Sequence, residues 1–92
     1  ERVRFEHVAA PELDLDAIDL STMFLGRRLK APFLISSMTG GPERAEAINL
    51  ALAEVAGTLG IAFGVGSQRI AVEGGASSGL TRALRQRAGD AP

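Results

Sequence analysis

Two short apolar runs bracket the most regular segment of the chain, and each run ends in a polar, glycine-rich stretch. The first, Pro32-Phe33-Leu34-Ile35-Ser36, is almost continuously apolar, the pattern of a strand buried on both faces. It gives way to Ser37-Met38-Thr39-Gly40-Gly41, after which Pro42 suits the first turn of a helix. Ala45, Ile48, Leu52, Val55, Ala56 and Leu59 then recur at helical spacing, so Leu52 and Val55 are expected to face the sheet. Glu43, Arg44, Glu46 and Glu54 fall largely off that face, and Gly60 is placed to end the helix in the left-handed conformation. The second run, Ile61-Ala62-Phe63-Gly64-Val65, closes in Gly66-Ser67-Gln68-Arg69. Strand, long helix and strand with short connections predict a βαβ unit with parallel strands and a right-handed crossover.

The flanking segments carry weaker signals. Residues 2–8 alternate and predict a short strand, and Pro11-Glu12-Leu13-Asp14-Leu15-Asp16 reads as a surface segment with alternate anchors. The stretch from Ser21 to Leu29, with Gly26 at its centre, predicts a β-hairpin. Gly74-Gly75-Ala76-Ser77-Ser78-Gly79 predicts a flexible loop, and residues 81–87 a short helix with Leu80 and Leu84 on its buried side. No internal repeat appears. Two parallel strands need cover on both faces and both edges, so the unit is expected to belong to something larger. A third strand is expected where the sequence stops.

Composition adds bounds. With 92 residues, 46% of them hydrophobic, and a formal net charge of −1, the chain has a globular balance and is too apolar for a disordered tail. Without cysteine it can form neither disulfides nor thiolate metal sites, and a reducing cytoplasm is the expected location. No apolar run approaches the ~20 residues needed to cross a bilayer, so no membrane association is expected. Arg82, Arg85 and Arg87 lack interleaved aromatics, which makes a solvated helix the better reading than a nucleic-acid surface.

Candidate chemistry gathers at the two strand ends, where ligands bind in parallel α/β folds. At the first, glycines allow close backbone approach, hydroxyls offer hydrogen bonds, and the next helix points its amino end at the same place. At the second, Ser67, Gln68 and Arg69 set a hydroxyl, an amide and a guanidinium in sequence, a set suited to a phosphate or diphosphate. Plainer readings stand beside these. Gly40-Gly41 also makes an ordinary tight turn, Met38 also packs under a helix, and Arg69 also serves as a surface ion-pair partner. Gly64 and Gly66 do not complete a dinucleotide fingerprint, because Arg69 stands where its third glycine belongs. His7 reads as structural or exposed, and Glu73 alone makes neither a metal site nor an acid–base pair.

At these loops the sequence resembles the type 2 isopentenyl-diphosphate isomerases. The resemblance rests on Phe5-Glu6-His7-Val8-Ala9-Ala10-Pro11-Glu12, Thr22-Met23-Phe24-Leu25-Gly26, Met38-Thr39-Gly40-Gly41, Ile48-Asn49-Leu50-Ala51-Leu52-Ala53 and Gly66-Ser67-Gln68-Arg69. It implies an α/β fold, a TIM (β/α)8 barrel of ~250 residues, of which this chain covers the preceding N-terminal segment (1–30) and the first two βα units (31–92). Residues 32–37 and 61–65 would be its first strands. The implied activity interconverts isopentenyl and dimethylallyl diphosphate with reduced FMN and Mg2+, NADPH serving as flavin reductant, in a cytoplasmic homo-oligomer (tetramer or octamer). Ser37, Met38, Thr39 and Ser67 would contact FMN, while Ser67, Gln68 and Arg69 would bind the diphosphate side. Ser37 stands where an alanine is common. The family's Arg-Lys pair, its catalytic Gln, its metal-binding Glu and its late flavin-phosphate loops are not in this sequence, so the chain by itself is expected to lack catalysis. Two other functions fit the same residues less fully: another FMN-binding barrel oxidoreductase, or a non-catalytic anion-binding or assembly fragment.

Overall fold

The computed structural model describes residues 2–37, 44–66, 69, 73 and 82–92. They form a mixed α/β arrangement: strands β1 (Thr22–Phe24), β2 (Arg27–Leu29) and β3 (Leu34–Ile35), helix α1 (Ala45–Leu59), strand β4 (Ala62–Phe63) and helix α2 (Arg82–Ala88). A single 3-10 turn, Leu15–Ala17, precedes them.

β1 and β2 pair antiparallel, with Thr22 opposite Leu29 and Phe24 opposite Arg27, as the Gly26 signal predicts. Leu25 and Gly26 both take positive φ, 47° and 74°, the requirement of the tight hairpin turn whose twist matches that of the strands. The Lys30 amide donates to the Gly60 carbonyl at 2.8 Å, which ties the hairpin to the entry of β4. Leu29 is buried beside this joint. Arg28 reaches Ser21 Oγ at 2.7 Å and Asp19 at 3.4 Å. Ser21 donates its amide and hydroxyl to the Asp19 carboxylate, and these two bonds, with the Arg28 charge, hold the Asp19 carboxyl below its ordinary range.

β3 and β4 pair parallel, Leu34 with Ala62 and Ile35 with Phe63, with α1 as the connection between them. The strands are shorter than the apolar runs that announce them. They are not covered on both faces either, since Leu34 is 51% exposed. Ile35, Phe63 and Val65 pack with the cluster of Ala53, Ala56, Leu84, Ala88 and Ala91. The opposite face, with Leu34 and Ala62, looks into an apolar recess also lined by Met23 and Phe24 of the hairpin. Among the described residues only one face of the sheet therefore carries helices.

Gly60 ends α1 at φ 67° and ψ 40°, as its position predicts, and the Ile61 amide reaches back to the Ala56 carbonyl at 3.1 Å. The buried face of α1 matches the expected one only in part: Ala45 and Ala56 are buried and Leu52 is half-buried, but the face is turned toward the alanines. Ala45, Asn49, Ala53 and Ala56 are buried, whereas Ile48, Val55 and Leu59 are 43%, 45% and 54% exposed. At ~100° per residue the two stripes lie roughly a quarter turn apart. The small-residue stripe wins because α2 comes close: a Cβ at Gly57 would stand 2.8 Å from the Ala88 carbonyl oxygen. Large aliphatic side chains cannot enter so narrow a gap, and they remain on the uncovered flank. Glu54 lies away from the sheet as expected, yet it is ion-paired with Arg87 of α2.

α2 buries Leu84 and Ala88. The Arg85 guanidinium caps its end, donating to the Gly89 carbonyl and to that of Ala91 at 2.6 Å. The chain then returns to the sheet, where the Phe63 amide donates to the Pro92 carbonyl at 3.1 Å.

Other expectations are corrected. Residues 2–8 form no strand, and Val3 and Phe5 are 85% and 95% exposed: alternation yields a strand only where a partner edge accepts it. Leu13 and Leu15 anchor nothing, being exposed as well. Pro42, Leu80, Thr81 and the loop 74–79 lie outside the described residues.

Candidate functional site at the carboxyl ends of the parallel strands

The ends of β3 and β4 meet closely. The Gly64 amide donates to the Ile35 carbonyl at 2.8 Å, carrying the parallel ladder one residue past β4. A Cβ on Gly64 would lie 3.3 Å from the Ser37 backbone nitrogen and 3.5 Å from the Ser37 Cβ. A side chain there would be in tight contact with the Ser37 backbone, so the two ends lie close together at the glycine. Ser36 and Ser37 are exposed on one side of this junction, and Gly66 is buried on the other. α1 leaves from the carboxyl end of β3 and returns to the start of β4, so its amino end lies at the same side of the sheet.

Of the residues predicted from sequence to bind ligand, Ser37 stands at this junction. Met38, Thr39, Ser67 and Gln68 lie outside the described residues. Arg69 is exposed, and its Nε lies 2.8 Å from Glu73 Oε1, with side-chain exposures of 77% and 60%. The Glu73 amide also donates to the Arg69 carbonyl at 2.9 Å, so the two residues are joined by backbone as well as side chain. An ion pair so exposed contributes about 0–1 kcal/mol. Arg69 thus stands as a surface ion-pair partner, the plainer of the two readings of its position. Among the described residues no three His, Asp or Glu side chains gather as metal donors.

Sequence reasoning missed Asn49. It is 2% exposed, and its side-chain Oδ1 has no hydrogen-bond partner. The signal was present in the pattern, since Asn49 sits four residues after Ala45 and four before Ala53, in the middle of the alanine stripe.

Fold and site together define a parallel α/β unit with a glycine-spaced, polar junction at its strand ends. Proteins named isopentenyl-diphosphate delta-isomerase are similar to it throughout. One from Xanthobacter autotrophicus is 72% identical over 90 residues, 98% of this chain and 26% of that protein. One from Vibrio parahaemolyticus is 60% identical over all 92 residues, 27% of its length. One from Synechocystis is 59% identical over 73 residues, 79% of this chain and 21% of the relative. The chain thus spans about a quarter of the length of these relatives. No protein-family model matches it. No helix among the described residues is long and apolar enough to cross a membrane.

Proposed function

We propose that this chain is the flavin-side portion of a type 2 isopentenyl-diphosphate isomerase, contributing the first two βα units of a (β/α)8 barrel. The observation that carries the reading is the 72% identity, over 98% of the chain, to a protein of that name. The geometry agrees with it in three places. The sheet has helices on one face and an apolar recess on the other. α1 keeps a bare aliphatic flank on the side away from α2, as a ring of helices requires. The chain after α2 returns to the edge of β4, where the next strand of a barrel would lie.

FMN fits the junction between the strands. Gly64 lies close to the Ser37 backbone, and Ser37 is exposed beside it. Ser37, Met38, Thr39 and Ser67 would hold the flavin ring, and Ser67, Gln68 and Arg69 the diphosphate. Reduced flavin, supplied through NADPH, would provide proton transfer at the allylic carbons. This chain's residues would orient the substrate: Arg69 neutralises diphosphate charge, and the Ser67 and Gln68 side chains fix its oxygens. The reaction moves a double bond by one carbon with no net redox change. The described residues do not fit as the Mg2+ site. The chain alone would be inactive, and the complete protein would be a cytoplasmic homo-oligomer.

The test is the complete protein, purified and assayed with isopentenyl diphosphate, reduced FMN and Mg2+. Stoichiometric flavin absorbance together with dimethylallyl diphosphate formation is expected. Flavin without isomerisation, but with oxidation of a hydroxy acid, would move the protein to another class of FMN barrel.

A further inference from the structure

The recess under the hairpin lies at the amino end of the parallel pair, opposite the glycine-spaced junction. Leu34 and Ala62 are the first residues of β3 and β4, and both line it together with Thr22, Phe24 and Phe33. Directly opposed residues of an antiparallel pair share a face, so Thr22, Leu29, Phe24 and Arg27 point one way and Met23 and Arg28 the other. The first of these faces is the one laid on the sheet. Leu29 is buried on it, Ala62 is buried beside it, and Arg27 reaches Asp90 at 3.1 Å, close to the Pro92 carbonyl that accepts from Phe63. Together with the Lys30–Gly60 bond, these contacts set the hairpin across the amino end of the strands.

Much apolar surface on that side stays bare among the described residues. Phe24, Leu34 and Phe33 are 38%, 51% and 62% exposed, although parallel sheets are covered on both faces. The topology indicates the cover. α1 and α2 both pack on the face of Ile35 and Phe63, and right-handed crossovers that keep adding strands at one edge keep placing helices on that same face. The edge that grows is that of β4, where the Pro92 carbonyl already accepts from the Phe63 amide. No helix then reaches the Leu34 face, and the sheet can bury it only by curving around it. The chain spans about a quarter of the length of its relatives, so most of the complete protein is available to supply the strands that do so. We infer that the hairpin is the plug of the closed barrel: Phe24, with Phe33 and Leu34, is buried against interior side chains of those remaining strands, and the amino end is sealed opposite the flavin side. The inference rests on the barrel reading made above and gives the hairpin a role that the reading leaves unassigned.

Hydroxyl-radical footprinting of the complete wild-type protein, read residue by residue by mass spectrometry, tests this without any substitution. Phe24, Phe33 and Leu34 are expected to be modified at least about tenfold more slowly than in urea-unfolded protein, because a close-packed interior excludes the probe. The protection should be the same at every protein concentration, since the cover belongs to the same chain. Slow labelling of Leu34 with Phe24 labelled at close to its unfolded rate would mean a barrel that closes without the hairpin, and overturns the inference. Fast labelling of all three residues overturns it as well. Protection of Phe24 that disappears on dilution, in step with dissociation of oligomers on size exclusion, overturns it in favour of a second copy as the occupant. Failure of the functional reading is seen separately, as wild-type protein that neither binds FMN nor isomerises isopentenyl diphosphate, whereas the footprint alone decides the plug.

Discussion

Gly57→Ala in α1 tests the close approach that decides which face of the helix is buried. In an exposed helix this substitution stabilises, because alanine exceeds glycine in helix propensity by about 1 kcal/mol. Here the added Cβ would lie 2.8 Å from the Ala88 carbonyl oxygen, 3.1 Å from that of Arg87 and 3.2 Å from the Ala88 carbonyl carbon. All three are backbone atoms at the end of α2, so no side chain can swing aside, and the helices must separate by several tenths of an ångström. Overpacking of this kind costs about 1–3 kcal/mol, and separation would also loosen the contacts of Leu84 and Ala88 with Ala53 and Ala56. The net expectation is destabilisation by about 1–2 kcal/mol, opposite in sign to the propensity effect. Urea unfolding of the complete protein measures it, with Gln86→Ala, on the exposed side of α2, as a control expected within about 0.5 kcal/mol. A Gly57→Ala protein with a higher unfolding midpoint than wild type would refute the packing of α1 against α2 described here.

The remaining predictions concern the site and the periphery. Arg69→Met in the complete enzyme should lower kcat/KM for isopentenyl diphosphate by about 30- to 1,000-fold, from loss of ~2–4 kcal/mol of charge-assisted binding, with flavin content retained. Arg69→Lys should recover only part of this, and unchanged steady-state kinetics for Arg69→Met would refute a role in diphosphate binding and leave Arg69 a surface ion-pair residue. Leu25→Asn should stabilise by about 0.5–1 kcal/mol, because Leu25 holds φ 47° while 79% exposed and asparagine tolerates that conformation better; thermal melts will show it. The Asp19 carboxyl, held low by Ser21 and Arg28, favours the folded state above its unfolded-state pKa, and that contribution is lost as pH falls through the folded value. Carboxyl NMR titration should place Asp19 below an ordinary aspartate, with Ser21→Ala moving it back up.

Elements set by short-range rules were legible in the sequence. The hairpin follows from a glycine between two apolar stretches, and the stop at Gly60 from the freedom of glycine at positive φ. The parallel pairing of β3 with β4 follows from strand, helix and strand in quick succession, because a chain so connected has few other ways to cover its apolar runs. The two polar strand ends were legible for the same reason, since parallel pairing of the strands brings their carboxyl ends to one side of the sheet.

The tertiary structure decided what depends on neighbours. Periodicity placed Ala45, Leu52 and Ala56 correctly toward the interior but put Ile48, Val55 and Leu59 there too; the approach of α2 at Gly57 turned the buried face toward Asn49 and Ala53 instead, because the spacing between two helices limits side-chain size. That rotation is what buries Asn49, which hydropathy alone assigns to solvent. Residues 2–8 alternate like a strand but pair with no strand among the described residues, because a strand exists only through the edge that bonds it. Arg69 was visible as a cation near a strand end, but its pairing with Glu73 at 2.8 Å emerged only in the structure. Sequence thus determined the order and kind of elements through local backbone preference and burial. Which side chains face one another was left to the distances between elements, which no single segment encodes.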